Sequence, residues 1–119
     1  MSKIVQAINS MISHPELIEQ VLQGENEIFF LYKKKYKWSM RENNKGEYYL
    51  YYYPSSIDLE VLSNFNADDW QDFSQMVIYK DADLGTKEAK ASFCELYSLI
   101  REKVFGVDKV LDDIIGEDF

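Results

Sequence analysis

Residues 25–54 read ENEIFFLYKKKYKWSMRENNKGEYYLYYYP, and this stretch decides the fold. Its apolar side chains recur at every second position, and it is dense in aromatic residues, the pattern of a β-hairpin. Ile28, Phe30, Tyr32, Tyr36, Trp38 and Met40 line one face of the first strand, with Lys34 the only intruder. Phe29, Leu31, Lys33, Lys35, Lys37 and Ser39 line the other. The turn NNKGE suits a type I turn over Asn44 and Lys45, with Gly46 in the left-handed conformation of a G1 bulge. That turn sets a register with Met40 opposite Leu50 and Trp38 opposite Tyr52. A loop of two or four residues would slip the pairing by one and exchange the faces of the tyrosines.

In this register Leu50 and Tyr52 join the core, and Tyr49, Tyr51 and Tyr53 share a face with Lys35, Lys37 and Ser39. Rings beside lysine stems have three readings. The lysine methylenes and cations cover the rings; the rings form a contact surface, a use to which tyrosine is well suited; or the face is packed under a helix from the C-terminal half. The last is preferred, because a small domain seldom leaves a large apolar patch open.

Before the hairpin, SKIVQAINSMI places Ile4, Val5, Ile8, Met11 and Ile12 on one helical stripe. SHPELIEQVLQG follows, with Pro15 at a position suited to N1 and Leu17, Ile18, Val21 and Leu22 as its apolar side. Gly24 would be its stop. Residues 3–23 therefore read as two short helices or as one helix kinked at Pro15.

After Pro54, SSIDLEVLSNF alternates like a strand at Ile57, Leu59 and Val61 but also suits a short helix capped by Ser55 or Ser56, and the helix is preferred. FNADDWQDF carries Asn66 as N-cap, Asp69 at N3 of a capping box, and Phe65 against Trp70 as a hydrophobic staple. Asp68, Asp69 and Asp72 would lie at or just inside the positive end of that helix. QMVIYK reads as a third strand and DADLGT as a loop. Thr86 then caps a long helix with Ala89, Phe93, Leu96, Tyr97, Ile100 and Val104 on one side and Gly106 at its end. VDKVLDDIIG forms a last helix, with Asp108 as N-cap and Val110, Leu111, Ile114 and Ile115 as its apolar side; EDF is a fraying tail.

The whole is an α+β fold in one domain, residues 1–119: an N-terminal helix, an antiparallel hairpin plus a third strand, and C-terminal helices packed on the sheet. No apolar run approaches the roughly 18–20 residues that span a bilayer. The N-terminal stripe lacks a continuous apolar core and a small-residue cleavage site, so no signal peptide and a cytoplasmic location are expected. A single cysteine, Cys94, allows no intramolecular disulfide and no Cys-rich zinc site.

Chemistry-bearing motifs are few. DADLG resembles the start of a calcium loop, but Gly85 falls at its fifth position and Ser92 stands where a glutamate is needed. No phosphate loop or nucleophile elbow occurs, and His14 and Cys94 lie in segments with no visible reason to meet. No cofactor, no metal and no enzymatic activity are expected.

Charge is more informative. The formal net charge is −8, and it is unevenly spread: residues 1–55 hold 6 acidic and 7 basic side chains, residues 56–119 hold 15 and 6. Such a surface repels phosphate backbones and attracts basic proteins. The resulting expectation is a small acidic protein-binding domain of the inhibitor or immunity type, docking on a basic protein, without nucleic-acid or membrane contact. Candidate charges are Asp68, Asp69, Asp72, Asp81, Asp83, Asp112 and Asp113; candidate anchors are Tyr49, Tyr51, Tyr53 and Trp70. The tripeptide YYP at 52–54 resembles an element beside the binding surface of some colicin-immunity proteins, but the rest of the chain departs from them and no family is assigned. The alternative is a self-associating structural or adaptor domain, a homodimer that buries its tyrosine face.

Overall fold

A computed structural model describes residues 2–116. Helix α1 (Lys3–Ser13) starts where Ser2 accepts a hydrogen bond from the Val5 N–H, and its stripe of Val5, Ile8 and Met11 is buried. A single 3-10 turn (Pro15–Leu17) leads into strand β1 (Ile18–Gln23). Strands β2 (Ile28–Tyr32), β3 (Tyr36–Glu42) and β4 (Tyr48–Tyr52) follow. Two one-turn helices, α2 (Leu59–Ser63) and α3 (Ala67–Gln71), precede β5 (Val77–Lys80) and α4 (Asp81–Leu84). The long helix α5 (Lys87–Phe105) runs from the Thr86 cap to left-handed Gly106, and α6 (Val107–Gly116) ends the described chain. The five strands form one antiparallel sheet in the order β1-β2-β3-β4-β5.

The α+β architecture follows the sequence reading, with three corrections. Residues 18–23 form a strand and not a helix. Gln20 takes a left-handed backbone (φ 51°) in a bulge between Glu19 and Leu22. The bulge stretches the repeat from two to three, so Ile18 and Val21 join one face and Leu22 the other. Spacing of that kind imitates a helix. Gly24, expected as a helix stop, closes the β1–β2 turn: its N–H donates to the Glu27 carbonyl at 2.7 Å, and a Cβ there would stand 2.6 Å from the Phe29 ring.

The second correction concerns the lysines. Residues 28–40 form two strands and not one, because Lys33 and Lys34 both take positive φ in a tight loop, with the Lys35 N–H donating to the Tyr32 carbonyl. Ile28 then pairs with Met40 and Phe30 with Trp38. A three-residue loop preserves parity, so the expected division of side chains between faces holds although the strand count does not. Third, DADLGT forms one helical turn closed by left-handed Gly85 instead of a loop.

The second hairpin matches the expected register: Met40 faces Leu50, Trp38 faces Tyr52, and Gly46 sits at φ 75°. Asn43 fixes this turn by accepting from the Lys45 and Glu47 N–H groups.

Two cores result. Helices α1 and α5 cover one face with Ile8, Met11, Phe93, Leu96 and Ile100 packed on Ile28, Phe30, Met40 and Leu50. Full burial of one such side chain contributes about 1.5–3 kcal/mol. The other face carries Phe29, Tyr51 and Tyr53 under Leu59, Leu62, Phe65, Trp70 and Phe73 of the 57–76 segment. Among the described residues no helix is long and apolar enough to cross a membrane.

Candidate functional site: an aromatic cleft with a half-buried carboxyl

The face beneath α2 and α3 is incompletely closed, because helices of five residues each cannot span a twisted five-stranded sheet. A cleft of about 380 Å³ remains between this cap and the β1–β2 turn. Phe29, Phe65, Trp70 and Met76 form its apolar walls, and Glu25, Glu27, Arg41 and Tyr51 supply its polar groups.

Each wall has a local cause. The capping box expected at Asn66 and Asp69 is complete, with bonds of 2.9 and 3.0 Å, and it orients α3. The staple is formed too: the Phe65 and Trp70 rings meet edge-on at 4.8 Å. Trp70 then stacks parallel to Phe29, with centroids 6.3 Å apart, and lies 5.9 Å from Tyr53. The close approach of Gly24 to Phe29 sets the turn that delivers Glu27.

Glu27 is the distinctive group. Burial pushes its carboxyl up to about 7, against the opposing pull of the Arg41 guanidinium and of the Ser39 and Tyr53 hydroxyls. Those hydroxyls are 2.6 Å apart and buried. Arg41 donates from Nε to the Tyr51 hydroxyl at 2.9 Å, and its guanidinium lies 4.0 Å from the centre of the Tyr49 ring. Burial likewise raises Tyr51 and Tyr53 above the ordinary phenol range. The cleft thus combines an aromatic box with a carboxyl that changes charge near neutral pH. It can accept a cation against the rings and exchange it for a proton on Glu27.

The expected site residues separate into groups. Trp70 and Tyr51 line the cleft, and Tyr53 packs behind it. Asp68, Asp69 and Asp72 are exposed on the cap, but Asp72 stands at the C-terminal end of α3 and not at its positive end, and Asp69 is occupied in the capping box. Asp81 is 4 % exposed and accepts from the Tyr48 and Ala82 N–H groups at 2.9 and 2.8 Å, so it is a structural residue and not a docking charge. Asp83 lies on α4, and Asp112 and Asp113 lie on α6, apart from the cleft. Tyr49 sits between Arg41 and Lys80, whose ammonium is 5.6 Å from its ring.

The reading in which the chain covers its own tyrosines is the observed one: Tyr53 is 2 % exposed and Tyr51 9 %. Tyr49 on the same face is half-buried. Glu27 and Arg41 went unnoticed in the sequence, although parity signals both. Glu27 is two residues before Phe29, and Arg41 two after Ser39, on the same face.

Compared with known protein families, with curated proteins and with solved structures, the chain matches none. Among the described residues no group of three or more His, Cys, Asp or Glu side chains is arranged to hold a metal ion.

Proposed function

We propose that this chain is a non-catalytic, cytoplasmic binding domain that docks on a basic protein and receives one lysine or arginine side chain of that partner in the Glu27 cleft. The observation that carries the reading is the placement of Glu27 among Phe29, Phe65 and Trp70, an aromatic box with an acid at its base. The cap around it supports the same sign of partner. Residues 56–79 contain five acidic side chains, Asp58, Glu60, Asp68, Asp69 and Asp72, and no lysine or arginine. All five are exposed.

Binding is favoured over catalysis because Ser63, the serine lining the cleft, donates its hydroxyl to the Glu60 carbonyl at 2.7 Å. His14 caps the end of α1, and Cys94, a free thiol, accepts a hydrogen bond from Tyr48 on the other core. Inhibition or immunity by steric cover of a basic site is the role that fits such a domain.

The test is a titration with a lysine-rich peptide, followed at the Trp70 indole by NMR, with the lysine-acetylated peptide as control. Saturable binding that disappears on acetylation, weakens in Glu27→Gln and tightens as pH rises through about 7 is expected. Equal binding of both peptides would refute the cation site. A lysate pull-down washed at low and high salt then asks for the natural partner, using Asp68→Lys with Asp72→Lys as the charge control. Asp69 is left intact there, because loss of its cap would cost about 1 kcal/mol and confuse folding with docking.

A further inference from the structure

Helix α6 has no buried residue, although one of its sides is wholly apolar. Val110, Leu111, Ile114 and Ile115 are 52, 50, 55 and 58 % exposed. They recur at i, i+1, i+4 and i+5, while Asp108, Lys109, Asp112 and Asp113 fall on the remaining arc. An isolated helix of this length is marginal in water, so its order depends on something that covers the stripe. A membrane surface is a poor cover, because interfacial helices carry lysine and arginine on their polar side and this one is acidic.

The same chain holds an apolar groove of about 400 Å³ on the face shared by α1 and α5. Met11, Tyr32, Tyr36, Trp38, Tyr52 and Tyr79 line it. Lys33 stands at its rim, and Lys34 and Lys35 continue the same exposed loop. The Lys33 and Lys35 ammonium groups lie 5.7 and 4.8 Å from the Tyr32 and Tyr36 ring centres. Among the described residues none of these three lysines is in an ion pair, nor are Asp108, Asp112 and Asp113.

We infer that α6 of one copy of this chain seats its apolar stripe in the aromatic groove of a second copy, with its aspartates against the Lys33–Lys35 loop. The sign and the polarity both match: aspartates meet lysines, and aliphatic side chains meet rings. The occupant is a second copy because α6 continues from the end of α5, buries none of its stripe there and lines no part of its own groove. Reciprocal docking closes a two-fold dimer. Four half-exposed aliphatic side chains carry roughly 400 Å², so two reciprocal stripes remove on the order of 800 Å² of aliphatic surface from water. The Glu27 cleft lies on the opposite face of the sheet and stays open, so this assembly stands or falls independently of the partner reading.

Sedimentation of the whole chain over the micromolar range tests the assembly. The unaltered chain is expected to dimerise. Reversal of the loop (Lys33→Glu, Lys34→Glu, Lys35→Glu) and reversal of the helix (Asp108→Lys, Asp112→Lys, Asp113→Lys) are each expected to weaken dimerisation by about tenfold or more at low salt. An equimolar mixture of the two variants has two matched contacts and should recover the dimer, which a merely misfolded variant would not do. A monomer at every concentration overturns the inference. So does a dimer indifferent to loop reversal, which would signify pairing of α6 with α6, and so does a mixture without recovery.

Discussion

The two faces of the sheet are closed by different means. Under α1 and α5, helices of 11 and 19 residues lay aliphatic stripes over Ile28, Phe30, Met40 and Leu50. Under α2 and α3, two helices of five residues each are held by aromatic contacts, and the space they leave is the Glu27 cleft. Length is the physical difference. A long helix covers a sheet continuously, whereas one turn of helix has no packing to spare and depends on a cap and on rings. The face closed by short elements therefore carries polar groups inside its packing, with Ser39, Tyr53, Glu27 and Arg41 placed among apolar rings.

The strongest way to break this contrast is to truncate one ring on each face. Phe93→Ala on α5 removes a fully buried side chain and should destabilise the fold by about 3–5 kcal/mol in urea unfolding. Trp70→Ala on α3 should cost about 2 kcal/mol, since Trp70 is half-buried and its cap is short. An equal loss for both would mean that the two faces are equally closed.

Next in size is the titration of Glu27. Its carboxyl is raised from 4.5 to about 7 in the folded chain, so the native state binds the proton more tightly than the unfolded one. That contribution is fully present below about 4.5 and is lost as pH rises through about 7, a total of about 3 kcal/mol. Glu27→Gln should abolish it. The difference in stability between variant and parent, measured against pH, should grow in favour of the variant over that window. A flat difference would place Glu27 in water.

The smallest effect separates polar from apolar packing. Tyr53→Phe leaves the Ser39 hydroxyl without its 2.6 Å partner and should cost about 1 kcal/mol, with a further rise of the Glu27 carboxyl because a stabilising hydroxyl is lost. Met40→Leu, on the helix-covered face, should leave the Glu27 titration untouched. Movement of that titration in both variants would show that the faces communicate.

How much of this was legible in the sequence differs from one element to the next. Thr86 and Gly106 bounded α5 correctly because a cap and a stop act on their own helix. Asn66, Asp69, Phe65 and Trp70 announced the start of α3 for the same reason. Gly46 set the register of β3 on β4, since a positive φ there selects one turn. Residues 18–23 misled because a bulge at Gln20 gave a strand the spacing of a helix, and the unit that forces it into a strand, β2, is a neighbour in space. Asp81 looked like surface charge until α4 turned it under the Tyr48 N–H, 33 residues away in sequence.

The sequence by itself determined caps, turns, parity and the excess of acid in residues 56–119, because each of these acts over a few residues or over none. Only the tertiary structure decided that the tyrosine face is roofed by 57–76, that Glu27 is half-buried near Arg41 and that α6 is left without a cover. Burial and electrostatic environment belong to the space between elements, and that space is defined only once the sheet and its helices have met.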